Sequence, residues 1–143
     1  MKSTVLFIVA TLVSCQILET DISGDTVNVD WPANHARVPA GYTDFRWRTV
    51  EGATGYEFAI AAPTFSAGGV VADTTIYADT LGCHQYGCRI LLEAGEYEWT
   101  VRAFNSGYTT SKNTYHLSVL SLEDSFVHGF SVDKSSLKAA FPD

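Results

Sequence analysis

Glu96-Tyr97-Glu98-Trp99-Thr100-Val101-Arg102-Ala103-Phe104 is the stretch on which the fold turns. In an extended chain Tyr97, Trp99, Val101 and Ala103 share one side, and Glu96, Glu98, Thr100 and Arg102 share the other. A period of two, with one apolar and one wholly polar face, predicts an antiparallel strand buried on one side and wet on the other. Asn105-Ser106-Gly107 follows as a turn.

The same period recurs on both sides of this strand. Tyr115, Leu117 and Val119 alternate with His116 and Ser118. Tyr56, Phe58 and Ile60 alternate with Glu57, Ala59 and Ala61, and Pro63 ends that run. Phe45 and Trp47 alternate with Arg46 and Arg48, and the turn cluster Glu51-Gly52-Ala53-Thr54-Gly55 follows. Val27, Val29 and Trp31 alternate with Asn28 and Asp30 until Pro32, which suits an edge position. Val70, Val71, the stretch 74–77 and the stretch 90–92 give weaker strand signals. No amphipathic helix of useful length lies between residues 26 and 120. About seven short strands separated by turns predict an all-β chain folded as a two-sheet antiparallel sandwich. Trp47, Tyr56, Phe58, Tyr97 and Trp99 supply its aromatic core.

The chain has 143 residues, of which 46% are hydrophobic and 17% charged, with a net charge of −7. That apolar share supports one core and argues against global disorder. The acidic balance disfavours polyanions, so nucleic acid is not an expected partner.

The N-terminal region reads as an address. Lys2 precedes an apolar run at residues 5–13, far shorter than the roughly 20 residues that span a bilayer and suited to a signal peptide. Leu12-Val13-Ser14-Cys15 closes the run and resembles a bacterial lipobox, in which the cysteine is lipidated and becomes the first mature residue. The expected division is a signal peptide at 1–14, a lipidated tether at 15–25, the sandwich at 26–120 and a C-terminal tail at 121–143. The tail reads either as a docking segment or as a frayed terminus packed on the sandwich. Several acyl chains make a firm membrane anchor where one does not. Gln16, rather than Asp, after the cysteine implies the outer membrane by resemblance to Gram-negative lipoproteins.

Three cysteines are an odd count for an exported protein. With Cys15 lipidated, Cys83 and Cys88 remain as a pair. In an oxidising compartment they are expected to form a disulfide, worth about 2 kcal/mol for so short a loop. Free thiols are the second reading. A metal site built on Cys83, His84 and Cys88 is the third, and lacks a fourth ligand.

The hairpin Phe45-Arg46-Trp47-Arg48-Thr49-Val50-Glu51-Gly52-Ala53-Thr54-Gly55-Tyr56-Glu57-Phe58-Ala59-Ile60 resembles strands B and C of bacterial fibronectin type III-like domains. Leu92-Glu93-Ala94-Gly95-Glu96-Tyr97 resembles the corner before strand F in the same family, with Tyr97 in the place of the corner tyrosine. The likeness covers roughly residues 26–120. More narrowly, the chain resembles the basal domain of outer-membrane lipoproteins in glycan-uptake systems of the starch-utilisation type. The resemblance implies a non-catalytic binding or interaction module on the cell envelope. Its partner would be a glycan or an outer-membrane protein. A structural spacer or adhesion module without a small ligand is the alternative, since this fold hosts many roles.

Motifs for catalysis are missing: no Gly-x-Ser-x-Gly, His-Glu-x-x-His, phosphate-binding glycine loop or EF-hand spacing occurs. No enzyme activity, cofactor or metal is expected. The four histidines, His35, His84, His116 and His128, are scattered. Glu96 and Glu98 share a strand face, but an open sheet face suits solvated or ion-paired carboxylates better than glycoside hydrolysis. Asp73 and Asp79 are the weak candidates for calcium. For ligand binding the sequence points to aromatics near loops: Trp31, Tyr77, Tyr86 and Tyr108.

Overall fold

A computed structural model describes residues 18–79 and 82–123. The signal segment, Cys15, His128 and nearly all of the expected tail lie outside the described residues. Every named element is a strand. In chain order they are β1 (Val29–Trp31), β2 (Ala36–Pro39), β3 (Gly41–Arg48), β4 (Gly55–Ala62), β5 (Gly69–Tyr77), β6 (Gln85–Leu92), β7 (Gly95–Phe104) and β8 (Asn113–Leu120).

Three strands in the order β1-β3-β6 face five in the order β2-β8-β7-β4-β5. All pairings are antiparallel except β2 with β8. This is the expected all-β sandwich of two sheets, with one strand more than predicted among the described residues. The extra strand is β2. Its four residues include only one buried apolar side chain, Val38, and end in Pro39, so its sequence carries no readable alternation.

The core forms where the predicted apolar faces meet. Phe45 and Trp47 come down from β3, and Tyr56 and Phe58 rise from β4. Phe45 sits 4.8 Å from Phe58 and 5.0 Å from Trp99, ring centre to ring centre. Trp47 lies parallel to Phe58, and Trp99 stacks on Tyr115 at 4.6 Å. Burying each such ring contributes roughly 1.5–3 kcal/mol, with about 0.5–1.5 kcal/mol more for a well-placed aromatic pair. Tyr97 is the corner tyrosine that the sequence suggests: its hydroxyl donates to the Glu93 carbonyl at 2.8 Å.

Two local expectations need correction. The first is the tether. Its described part, residues 18–25, is docked rather than standing off. Ile22 is fully buried in the core. Asn105 Nδ2 donates to the carbonyls of Thr20 and Gly52, while the Asn105 carboxamide oxygen accepts the amides of Gly107 and Tyr108. Gly52 turns with φ +82°, and a Cβ there would stand 2.7 Å from Thr20 Cβ, so only glycine lets this segment lie so close.

The second is the disulfide. Cys83 and Cys88 are both free thiols. Cys88 lies in the β6 ladder opposite Phe45. The chain before β6 continues alongside β3, where Thr49 takes the carbonyls of His84 and Cys83 through its amide and hydroxyl. Three residues of extended strand, from Gln85 to Cys88, already span about 10 Å. A disulfide needs Cα atoms about 4.4–6.8 Å apart. Joining the two sulfurs would strip Gln85 and His84 from β3.

Candidate functional site

The outer face of the five-stranded sheet carries the polar halves of the alternating strands. Across β5, β4 and β7, Thr75, Glu57 and Arg102 stand in one row, and Asp73, Ala59 and Thr100 in the next. Ala59 and Thr100 are short, so the second row is a depression. The result is a shallow trough of about 340 Å³, walled by Glu57, Asp73, Thr75, Arg102 and Lys112 over a floor of Ala59 and Thr100.

The walls hold their charges in place. Arg102 donates through Nε to the Glu57 carboxylate. Lys112 Nζ sits over the Phe65 ring at 5.6 Å, within cation–π range. The Phe65 amide donates to Glu98 at 3.0 Å, which ties the β4–β5 loop to β7. The trough therefore offers a guanidinium, an ammonium, carboxylates and threonine hydroxyls within one concavity. It has neither histidine nor cysteine among its lining residues. Such a surface can hold a polar ligand by hydrogen bonds; it contains no nucleophile–base pair of the usual kind.

Beyond the trough, His35 and His116 stack with ring centres 5.0 Å apart and planes 10° from parallel. The His35 amide donates to the His116 carbonyl, and the His116 amide donates to Asn34 Oδ1. His116 Nδ1 lies 3.8 Å from Glu98. Sequence separation hid this pair. Among the described residues no group of three or more His, Cys, Asp or Glu is placed to hold a metal.

The opposite face, on the three-stranded sheet, is occupied by its own ion pairs. Asp44 accepts two bonds from Arg89, at 2.6 and 3.2 Å, and one from Arg46 at 3.1 Å. These hydrogen bonds, Arg89 first, pull its pKa down to about 2. Arg48 pairs with Asp30, which also accepts from Gln85. The charged groups on this face are already satisfied by one another.

The aromatic residues singled out by sequence do not share one site. Trp31 is 45% exposed on β1, where the register against β3 shifts by one residue and removes it from the inward row of Val27. Tyr77 ends β5, 73% exposed, with its ring edge-on to Phe104 at 6.1 Å. Tyr86 is half-buried against Tyr56, and its hydroxyl accepts the Asp79 amide at 3.1 Å. Tyr108 lies in the turn held by Asn105. Glu96 and Glu98 are also divided, the first accepting the Ser118 hydroxyl and the second serving Phe65 and His116. Missed by sequence were Glu57, Thr100, Arg102 and Lys112. The signal was the polar half of each alternation, which has no meaning until the pairing register is known.

No family model matches this chain, and no curated protein matches it. Among solved structures, it is similar to the solution structure of a fibronectin type III domain from the human KIAA0970 protein. The two are 14% identical, with a TM-score of 0.45, over 67% of this chain and 74% of that one.

Proposed function

We propose that this chain is a non-catalytic interaction module of the bacterial cell envelope, held at the outer membrane by lipid on Cys15, which captures a glycan in the trough on the five-stranded sheet. The observation that carries the reading is the trough itself. Fixed groups of both charges and threonine hydroxyls surround a floor of small side chains. Sugar hydroxyls donate and accept hydrogen bonds together, so they suit walls that offer carboxylates beside a guanidinium and an ammonium. The shallow open shape supports binding without chemistry.

A panel of soluble neutral and charged polysaccharides, run as affinity electrophoresis with the full chain, tests this. Retardation by at least one glycan should be lost in Asp73→Ala and Arg102→Ala and kept in Trp31→Ala. Equal retardation of wild type and both trough variants contradicts it. Labelled-palmitate incorporation tests the anchor: wild type should label and Cys15→Ser should not.

The spacer or adhesion reading is favoured by one observation, the dispersal of Trp31, Tyr77, Tyr86 and Tyr108 over both sheets and their loops. Absence of any glycan binding, with the anchor intact, would select it.

A further inference from the structure

A sandwich has four edge strands, and three of these are guarded in the usual ways. β1 is three residues long and stops at Pro32. β2 is four residues long and contains Arg37 and Pro39. β6 carries Arg89, ion-paired to Asp44. Short strands, proline and charge all discourage edge-to-edge pairing. β5 is the exception. Gly69-Val70-Val71-Ala72-Asp73-Thr74-Thr75-Ile76-Tyr77 is nine residues long, without proline, lysine or arginine, and with a single charge. Among the described residues its outer edge is unpaired in the sheet.

The register against β4 shifts between Ile60 and Ala61, where Val70 and Val71 together oppose Ala61. The regular edge is therefore 72–77. The Ala78 amide donates to the Thr54 carbonyl at 2.9 Å. By strand alternation, Thr74 and Ile76 also turn their backbone groups toward β4. Asp73, Thr75 and Tyr77 turn theirs off the sheet.

We infer that β5 pairs with β5 of a second copy, antiparallel and centred on Thr74, to join two sandwiches through one ten-stranded sheet. Charge and apolar matching select this register. Centring on Asp73 would set two carboxylates face to face in an already acidic protein. Centring on Thr75 would put Ile76 opposite a threonine. Centring on Thr74 sets Asp73 opposite the partner's Thr75, carboxylate to hydroxyl, on the outer face. It sets the half-buried Ala72 and Ile76 opposite one another on the inner face. Asp73 and Thr75 then exchange backbone hydrogen bonds across the join. The axis is perpendicular to the sheet, so both troughs open on one side, where a long glycan reaches them together. That last consequence rests on the proposed function; the pairing does not.

Thr74 would face its own symmetry mate in a non-hydrogen-bonded pair, with Cα atoms about 4.5 Å apart, inside disulfide range. The test uses the full chain with Cys15→Ser and Cys83→Ser, which removes the N-terminal thiol and the exposed thiol among the described residues. Thr74→Cys should yield a covalent dimer under mild oxidation, and Ser66→Cys, exposed off the edge, should not. Sedimentation should show wild type as a dimer and Thr75→Pro, which deletes an outward amide, as a folded monomer. Equal cross-linking of the two cysteine variants overturns the pairing, as does a wild type that stays monomeric at every concentration. The cross-link is read without the proline variant and without any glycan, so it is independent of the trough.

Discussion

Arg102 reaches across from β7 to the Glu57 carboxylate on β4, so the guanidinium at the trough rim is held by a partner one strand away. Both side chains are about half exposed, and such a pair contributes at most about 1 kcal/mol to stability. Its value is geometric, because it fixes the orientation of a donor group beside the short floor residues. Glu57→Gln should therefore leave the melting temperature nearly unchanged while weakening glycan retention. Thermal denaturation run beside affinity electrophoresis separates the two effects.

Tyr56 and Tyr97 each use a hydroxyl, but in opposite senses. Tyr56 Oη accepts the buried Val50 amide at 2.8 Å, whereas Tyr97 Oη donates to a carbonyl nearer the surface. Tyr56→Phe strands a buried donor and should cost about 1–3 kcal/mol. Tyr97→Phe leaves a carbonyl that water can reach and should cost about 1 kcal/mol or less. Urea denaturation of the two variants should place Tyr56→Phe as the less stable.

The thiols should label unequally. Burial pushes the Cys88 pKa up to about 12, so almost no thiolate exists near neutrality. Cys83 is exposed, and its hydrogen bond to Asp79 together with that carboxylate's charge also raises its pKa. Peptide-mapped alkylation at pH 8 should modify Cys83 and spare Cys88 until the protein is unfolded. Asp79→Asn should accelerate modification at Cys83. A disulfide would leave both unlabelled without reductant.

Acid should weaken the three-stranded sheet through Asp44. Its folded pKa of about 2 lies below the ordinary carboxylate value, so the folded state favours the ionised form. The stabilisation is complete above about pH 4 and is lost as pH falls toward 2. Melting temperatures between pH 5 and pH 2 should fall less steeply in Asp44→Asn than in wild type.

Much of the fold is legible without coordinates. The stretch 96–104 lies in β7, because four apolar side chains at every second position admit only one extended burial pattern. Trp47, Phe58 and Trp99 lie in the core for the same reason. β2 is hidden because Val38 is its only fully buried side chain, with the small Ala36 half-buried beside it. Trp31 leaves its row because of a shift in register, which local alternation does not encode. Cysteine counting paired Cys83 with Cys88 without seeing that one of them is fixed in a ladder. The trough is hidden for a related reason. Asp73, Ala59 and Thr100 come from three strands, and only the pairing of β5, β4 and β7 makes them neighbours. His35 and His116 likewise meet only because β2 runs beside β8.

The most direct test of the account is an amide chemical-shift map of the isotope-labelled chain titrated with the glycan that retards it most. Shifts should concentrate at Glu57, Ala59, Asp73, Thr75, Thr100, Arg102 and Lys112. Shifts concentrated instead around Asp44, Arg46 and Arg89 on the three-stranded sheet would contradict it.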